Sequence, residues 1–440
     1  MTRQEQRATR PSGIRVVVTN HTSCHNKGNE ALVKTLIREI SAIAPGAQFS
    51  VFSRSPSYDQ FRLDELGLPV RVLRAGFPLS PGGRLLRSLL PWSIGSRAAW
   101  LLACASERMR PLSRDTLAAF RHADLVVSTD DIFSTHYGDL RDQLAYLWLA
   151  LRYCDKVALL GHTIGPFERS ADLDLLLGVF RRLSLITSRD SPNYEYLRGL
   201  ELGAVRLEHT ADMALLLPPA SDREVEQLLR RYRLDKAERF VAVMPSHGIV
   251  RYSGISQREH QAAMADVVSK LLEAGTSVIL VPHVTDFEGT IDDSILCAAL
   301  AKQLGNPPTV TILSDQSAEE IRGLLGHCDL VISERLHGLV AAAAMRVPAI
   351  AVAYSPKVVG LMSDLLGDLA PHLTLDVQNV SGTGLIDALG WLAAHRKEVA
   401  QSLERSVGVL EERARDNFRY LREILASSPG VMEAGPVAGR

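Results

Sequence analysis

Between residues 329 and 348 the chain reads Asp-Leu-Val-Ile-Ser-Glu-Arg-Leu-His-Gly-Leu-Val-Ala-Ala-Ala-Ala-Met-Arg-Val-Pro, an apolar strand that breaks into Glu-Arg-x-His and then an alanine-rich helix. The break puts Arg335 and His337 where a strand's carboxyl end meets a helix's amino end. Unpaired N–H groups attract anions there, and open parallel sheets bind their ligands at such junctions. Arginine adds a permanent bidentate donor for carboxylate or phosphate, and a histidine two residues on can exchange a proton near neutral pH. The pair reads as the site of a reacting anion. The alternative is a surface ion-pair turn whose histidine only caps the helix.

Three further strand ends carry similar residues. Gly161-His-Thr-Ile-Gly-Pro-Phe167 delivers His162, Ser188-Arg-Asp190 delivers Arg189, and Pro282-His-Val-Thr-Asp286 delivers His283, with Asp292 and Asp293 beyond it. Four such ends in one chain imply a shared cleft, although each residue alone could equally be structural. Asn26-Lys-Gly-Asn-Glu30 opens the first helix, so Asn26, Asn29 and Glu30 either face that cleft or merely cap the helix. No HExxH or other closely paired ligand spacing occurs, and no metal is expected.

The elements that must position these side chains follow from periodicity. Apolar, β-branched runs at 14–20, 48–53, 69–73, 123–129, 157–161, 184–187 and 205–209 alternate with helical patterns. The alternation resumes at 239–245, 277–282, 309–313, 329–333 and 349–354. Continuous rather than alternating apolar strands imply burial on both faces and parallel pairing. The reading is α/β, with two doubly wound Rossmann-like domains facing across a cleft. At 440 residues the chain exceeds a single core. The domain boundary is placed at the Pro218-Pro219 turn, before a helix that Ser221 and Asp222 can cap. This yields a disordered arm at 1–13, domains at 14–217 and 218–383, helices at 384–426 returning to the first domain, and a flexible tail at 427–440.

A net charge of −1 gives no field for nucleic acid. Five scattered cysteines without CxxC spacing indicate neither a disulfide framework nor zinc, and fit a reducing cytoplasm. The polar amino-terminal arm lacks the apolar stretch of a secretory signal, and no run is long enough to span a bilayer. The segment Pro81–Arg114 combines six arginines and two tryptophans with one acid, Glu107. It reads either as a peripheral, membrane-interfacial element or as a packing helix with solvated arginines.

The ordered set NKGNEAL, GHTIGPF, SRDSPNYEYL, HTADMALLL, VPHVTD and ISERLHGLVAAAAMRVPAIAVAYSPKVVGLMSDL resembles the polysaccharide pyruvyl transferase family, across residues 14–365. The resemblance implies a GT-B-like pair of domains and transfer of pyruvyl from phosphoenolpyruvate to two hydroxyls of a sugar or glycan, with no cofactor. The acceptor would be a polysaccharide or its lipid-linked precursor. The first domain would take the acceptor and the second phosphoenolpyruvate. Arg335, Leu336 and His337 would form the phosphoenolpyruvate site. His162 would supply a second proton-transfer group, which of the two histidines is acid and which base staying open, and Arg189 a second anion contact. Asn26, Asn29, Glu30, His283, Lys357 and Asp130 complete the expected substrate-binding set. One departure bears on the acceptor: the family commonly places a glycine-rich turn where this chain has Ser128-Thr-Asp-Asp-Ile-Phe133. The rival readings are a GT-B glycosyltransferase using a nucleotide sugar and a non-catalytic sugar-binding descendant of the fold.

Overall fold

A computed structural model describes residues 13–75, 114–129, 133, 140–165, 167, 170–249, 255–285 and 292–427. In the first half, β1 (Arg15–Thr19), α1 (Lys27–Ile43), β2 (Gln48–Ser53), α2 (Pro56–Asp64) and β3 (Val70–Arg74) are followed by α3 (Arg114–Arg121) and β4 (Leu125–Ser128). Then come α4 (Leu140–Tyr153), β5 (Val157–His162), α5 (Ser170–Phe180), β6 (Leu185–Ser188), α6 (Ser191–Arg198) and β7 (Arg206–His209). A 3₁₀ turn, Met213–Leu216, leads out of this sheet.

The second half runs α7 (Asp222–Arg231), β8 (Phe240–Met244), α8 (Gln257–Glu273), β9 (Ser277–Leu280), α9 (Asp293–Gln303), β10 (Val310–Ile312) and α10 (Ala318–Leu325). It closes with β11 (Leu330–Ser333), α11 (Leu336–Ala344), β12 (Ala349–Ala353), α12 (Pro356–Leu366), α13 (Ala370–Leu373), β13 (Thr374–Asp376) and α14 (Gly382–Ala426).

Among the described residues the strands form two sheets, ordered β3-β2-β1-β4-β5-β6-β7 and β10-β9-β8-β11-β12-β13. Their pairings are parallel, for example Val16 against Leu125 and Leu330 against Val241. Strands β4, β5, β8 and β11 are buried along their whole length, as helices on both faces require. The chain is therefore an α/β protein of two Rossmann-like domains. Each sheet reverses direction once, between β1 and β4 and between β8 and β11, and ligands of open sheets sit at such reversals. Helices α1 and α11 begin at these two points.

Local signals set several boundaries. Ser221, Ser256 and Ser317 each build a capping box with the glutamate three residues on, starting α7, α8 and α10. Strand β13 escaped the periodicity analysis because it is three residues long and only half buried. The last helix, α14, bends at His395, whose backbone leaves the helical region. It packs on α8 and α12 in the second half and on β5 and β6 in the first. There Asn417, fully buried, accepts from the hydroxyls of Thr187 and Thr210 and donates to Ala211 O. Among the described residues no helix is long and apolar enough to cross a membrane.

Candidate functional site

The turn after β11 is held from within. Ser333 Oγ accepts from Arg335 N at 3.1 Å and donates to Arg335 O at 2.9 Å. Glu334 is fully buried. It accepts from Ser246 N at 2.6 Å and meets His260 Nε2 at 2.6 Å, tying the end of β8 to the end of β11 across the reversal. Burial would lower His260, but the Glu334 charge raises it above its ordinary value.

Arg335 differs from the expected free anion clamp. Its Nε and Nη2 donate to Asp293 at 3.0 and 2.6 Å, so the planar fork is already engaged, and Nη1 alone is left without a bond to a described residue. Asp293, fully buried at the start of α9, also accepts from His247 N and Val284 N, each at 2.9 Å. The pair thus locks the arginine to the loops ending β8 and β9. A charge so well matched in a buried site orients its neighbours more than it attracts a new anion. Arg335 occupies the cap position of α11 without a side-chain bond to the helix, and the helix's first N–H groups carry the positive end of its dipole toward the cleft.

His337 is met by the first domain. Its Nε2 stands 3.4 Å from Asp212 Oδ2, and the same oxygen accepts from Arg189 Nη1 at 2.7 Å. Asp212 Oδ1 accepts from Ala214 N at 2.9 Å, capping the 3₁₀ turn. Burial would raise the Asp212 carboxyl, but Arg189 and then His337 hold it well below the usual carboxylate range. Arg189 also donates through Nε to Thr163 Oγ1 at 3.2 Å. At the opposite side the start of α1 presses on the same ring: a Cβ on Gly28 would overlap the His337 imidazole. Glycine is needed here for close approach between domains.

His283, at the end of β9, is fully enclosed beside these groups. Burial and then the positive charges of His337, Arg335 and Lys27 push it well below its ordinary value, so its ring is neutral. Its carbonyl accepts from Lys27 N at 3.0 Å, and Thr285 N donates to His25 O at 3.0 Å, joining the two domains along the floor of the cleft. Lys357 and Leu336 line a narrow crevice of about 20 Å³ with Arg189, Asp190 and Asp212.

The remaining expected residues lie elsewhere or serve other ends. His162 is buried at the first sheet's end, with Nε2 3.0 Å from Ser128 O and its ring 5.4 Å from that of Phe133. Asn26 accepts from Gly28 N at 3.0 Å and so caps α1, and Asn29 is buried. Glu30 does not face the cleft as an acceptor for substrate. It is fully buried between Lys27 Nζ at 3.2 Å and Lys34 Nζ at 2.9 Å, because two buried ammonium groups require a counter-charge. That network crosses the domain seam: Lys34 reaches Glu319 at 2.9 Å, and Lys27 and Arg62 both reach Asp315 at 2.7 Å. Asp130 and nearly all of the Pro81–Arg114 segment lie outside the described residues.

Two clusters have metal-ligand residue types. In one, Lys34 reaches Glu30, Glu65 and Glu319 and supplies the positive charge. In the other, Asp59 is used within the loop it staples, meeting His21 Nε2 at 2.8 Å and accepting from Ser23 Oγ and Cys24 N. Neither requires an ion.

Sequence reasoning passed over Asp212, which stands just beyond β7 in Thr210-Ala-Asp212. It also passed over the pairing role of Asp293. The strand-end rule applied to β7 would have exposed the first. Nothing local marks the second, because its partner is 42 residues away.

The chain matches the sequence profile of the family described as polysaccharide pyruvyl transferase over residues 26–356. Amylovoran biosynthesis protein AmsJ of Erwinia amylovora is 22% identical over 399 residues, 89% of this chain and 95% of AmsJ. Among solved structures, Anabaena Alr3699/HepE in complex with UDP and glucose aligns with a TM-score of 0.55 at 15% identity, covering 94% of this chain and 100% of that one. MnaA of S. aureus with UDP aligns at 0.59 and 10% identity, covering 94% and 98%. At such identities these structures speak to the fold alone, which is of the GT-B type. The profile match spans the ends of β5, β6, β7, β9 and β11 where the described side chains converge, and this chain belongs to the polysaccharide pyruvyl transferase family, a family of transferases.

Proposed function

We propose that the chain transfers the pyruvyl group of phosphoenolpyruvate onto two hydroxyls of a sugar in an exopolysaccharide or its lipid-linked precursor, releasing phosphate. The observation that carries the reading is the approach of His337 from the second domain to an ionised Asp212 from the first, 3.4 Å apart, at the open amino end of α11. Membership in the family and the similarity to an amylovoran biosynthesis protein support the reaction class and the kind of product.

The chemistry asks for a proton at the methylene carbon, a sugar oxygen at the neighbouring carbon, departure of phosphate, and closure by the second hydroxyl. Of the two hydroxyl protons, one ends on the methyl carbon and one leaves with phosphate. His337 is the group proposed to carry them, with Asp212, 3.4 Å from its Nε2, facing the imidazolium when a proton is held. The α11 amino end and Arg335 Nη1 would receive the donor's negative charge, and Lys357 lines the crevice beside Leu336. His283, neutral and enclosed, can offer a hydrogen bond without adding charge. His162 is retained as a second contact only through its motif.

The test is phosphate release from phosphoenolpyruvate across a panel of glycan acceptors, with mass detection of the ketal. A nucleotide-sugar glycosyltransferase is the second reading, favoured by neighbours of the same fold that were solved with UDP. Thermal stabilisation separates the two: a rise with phosphoenolpyruvate supports the first, and a rise with UDP alone supports the second.

A further inference from the structure

Arg322, on α10, is a buried cation whose hydrogen-bond partners are all neutral carbonyls. It is 3% exposed, and its guanidinium donates from Nη1 to Leu215 O at 3.1 Å and to Leu217 O, and from Nη2 to Ala214 O. Its Nε is buried without a bonded partner, and among the described residues no carboxylate comes within ion-pair distance, Asp212, Glu319 and Glu411 acting on it only through space. Burial pulls it down from its ordinary value to about 10. A protein that retains such a group accepts the desolvation of a full charge in return for three hydrogen bonds to carbonyls, so general stability is a poor reason for its presence.

Its acceptors share one feature. All lie in or at the end of the 3₁₀ turn Met213–Leu216, whose cap is Asp212. Ala214 is held from both sides: its N–H donates to Asp212 Oδ1 and its carbonyl accepts from Arg322. A rigid two-point grip on a turn of four residues fixes where its cap side chain points. We propose that Arg322 is a positioning residue that sets the Asp212 carboxylate against His337 by clamping the connector between the domains. It touches neither the ring nor the cleft. The inference rests on the reading of His337 as the proton-transfer group.

The sign of one measurement separates positioning from simple electrostatics. The charged groups around His337 are Asp212 with its partner Arg189, Arg335 beside it on α11, and Lys27 beyond Gly28, with neutral His283 below. Removing the Arg322 cation through space alone would ease repulsion and raise the pH at which His337 titrates. Loss of the Asp212 contact would lower it, as Asp212→Asn does directly.

The experiment uses full-length protein with ¹⁵N-labelled histidine, His337 being assigned from His337→Asn. Arg322→Gln should lower the His337 midpoint by about half a pH unit or more, in the same direction as Asp212→Asn, and the double variant should match Asp212→Asn alone. Phosphate release should fall about tenfold in kcat with KM for phosphoenolpyruvate within twofold, and circular dichroism should be unchanged. A midpoint that rises or stays put in folded Arg322→Gln overturns the proposal. If the wild type transfers nothing from phosphoenolpyruvate, the function reading fails while the titration still decides the positioning role. Should Arg322→Gln not fold, Arg322→Lys, whose single ammonium cannot span the same carbonyls, is measured instead. Failure of both to fold would assign Arg322 to holding the domains together and overturn the proposal.

Discussion

Replacing Asp212 with asparagine removes a charge and leaves the shape of the site. The amide oxygen can still accept from Ala214 N, so the 3₁₀ turn persists, but Arg189 loses its counter-ion 2.7 Å away in a buried setting. Breaking a buried pair from one side costs about 3–5 kcal/mol. Arg189 keeps its bond to Thr163, but with the amide oxygen turned to Ala214 N the amide NH2 faces the guanidinium, so the expected loss is the full about 3–5 kcal/mol. At roughly 2–4 °C per kcal/mol for domains of this size, the melting temperature should fall by about 6–20 °C at pH 7. The deficit depends on pH in a definite direction. Asp212 is held well below the usual carboxylate range in the folded chain, so the unfolded chain takes up its proton first as pH falls. The stabilisation is complete above the unfolded value of about 4 and is lost as pH drops on toward the far more acid folded value, so the wild-type and variant melting temperatures should begin to converge by pH 3. Turnover should drop by about 10²- to 10⁴-fold, because His337 loses the carboxylate that faces its imidazolium, while KM for phosphoenolpyruvate stays within a few-fold. Scanning fluorimetry from pH 3 to 7.5 beside a phosphate-release assay reads both. A melting difference that is constant with pH, or near-normal turnover, refutes the reasoning.

His337→Ala should lower turnover by at least about 10²-fold with donor affinity within a few-fold, and near-normal turnover would remove it from proton transfer. Arg335→Lys exchanges a fork that already grips Asp293 for a single ammonium. Calorimetric affinity for phosphoenolpyruvate should therefore fall by roughly 1.5–3 kcal/mol, together with a lower melting temperature as the His247 and Val284 loops loosen; unchanged affinity would show that Arg335 does not serve the donor. Gly28→Ala adds a methyl to a helix, worth up to about 1 kcal/mol of propensity, yet it forces the His337 ring aside, so turnover should fall about tenfold or more with little loss of melting temperature; full activity would mean that the close approach is unimportant. If the Pro81–Arg114 segment is a membrane-interfacial element, wild-type protein should co-sediment with anionic vesicles at low salt, at on the order of 1 kcal/mol per engaged basic residue, and Arg84→Gln, Arg87→Gln and Arg97→Gln together should abolish it; no binding by the wild type would leave the segment as packing surface.

Periodicity exposed nearly the whole of both sheets, because a parallel strand buried on two faces is an unbroken apolar run and needs no partner to be seen. β11 and its break into Glu-Arg-Leu-His is the clearest case, and β13 marks the limit, being too short and too exposed to announce itself. Motif order was enough to name the family, and the strand-end rule picked out Arg335, His337, Arg189 and His283 as residues of interest. Their type and placement are local properties, written within a few positions of each strand.

Pairing is not local, and the tertiary structure alone decided it. That Arg335 gives its fork to Asp293 and that Asp212 faces His337 depend on contacts spanning 42 and 125 residues, and although Lys27 and Lys34 stand only three and four positions from Glu30, the burial that commits Glu30 to them comes from the fold. A charge at a strand end looks the same in sequence whether it is open to a ligand or already neutralised. Burial settles the matter, since removing an ionised group from water compels it to find a counter-charge wherever the fold brings one, and the folded topology brought Asp293, Lys27, Lys34 and Asp212 to those positions.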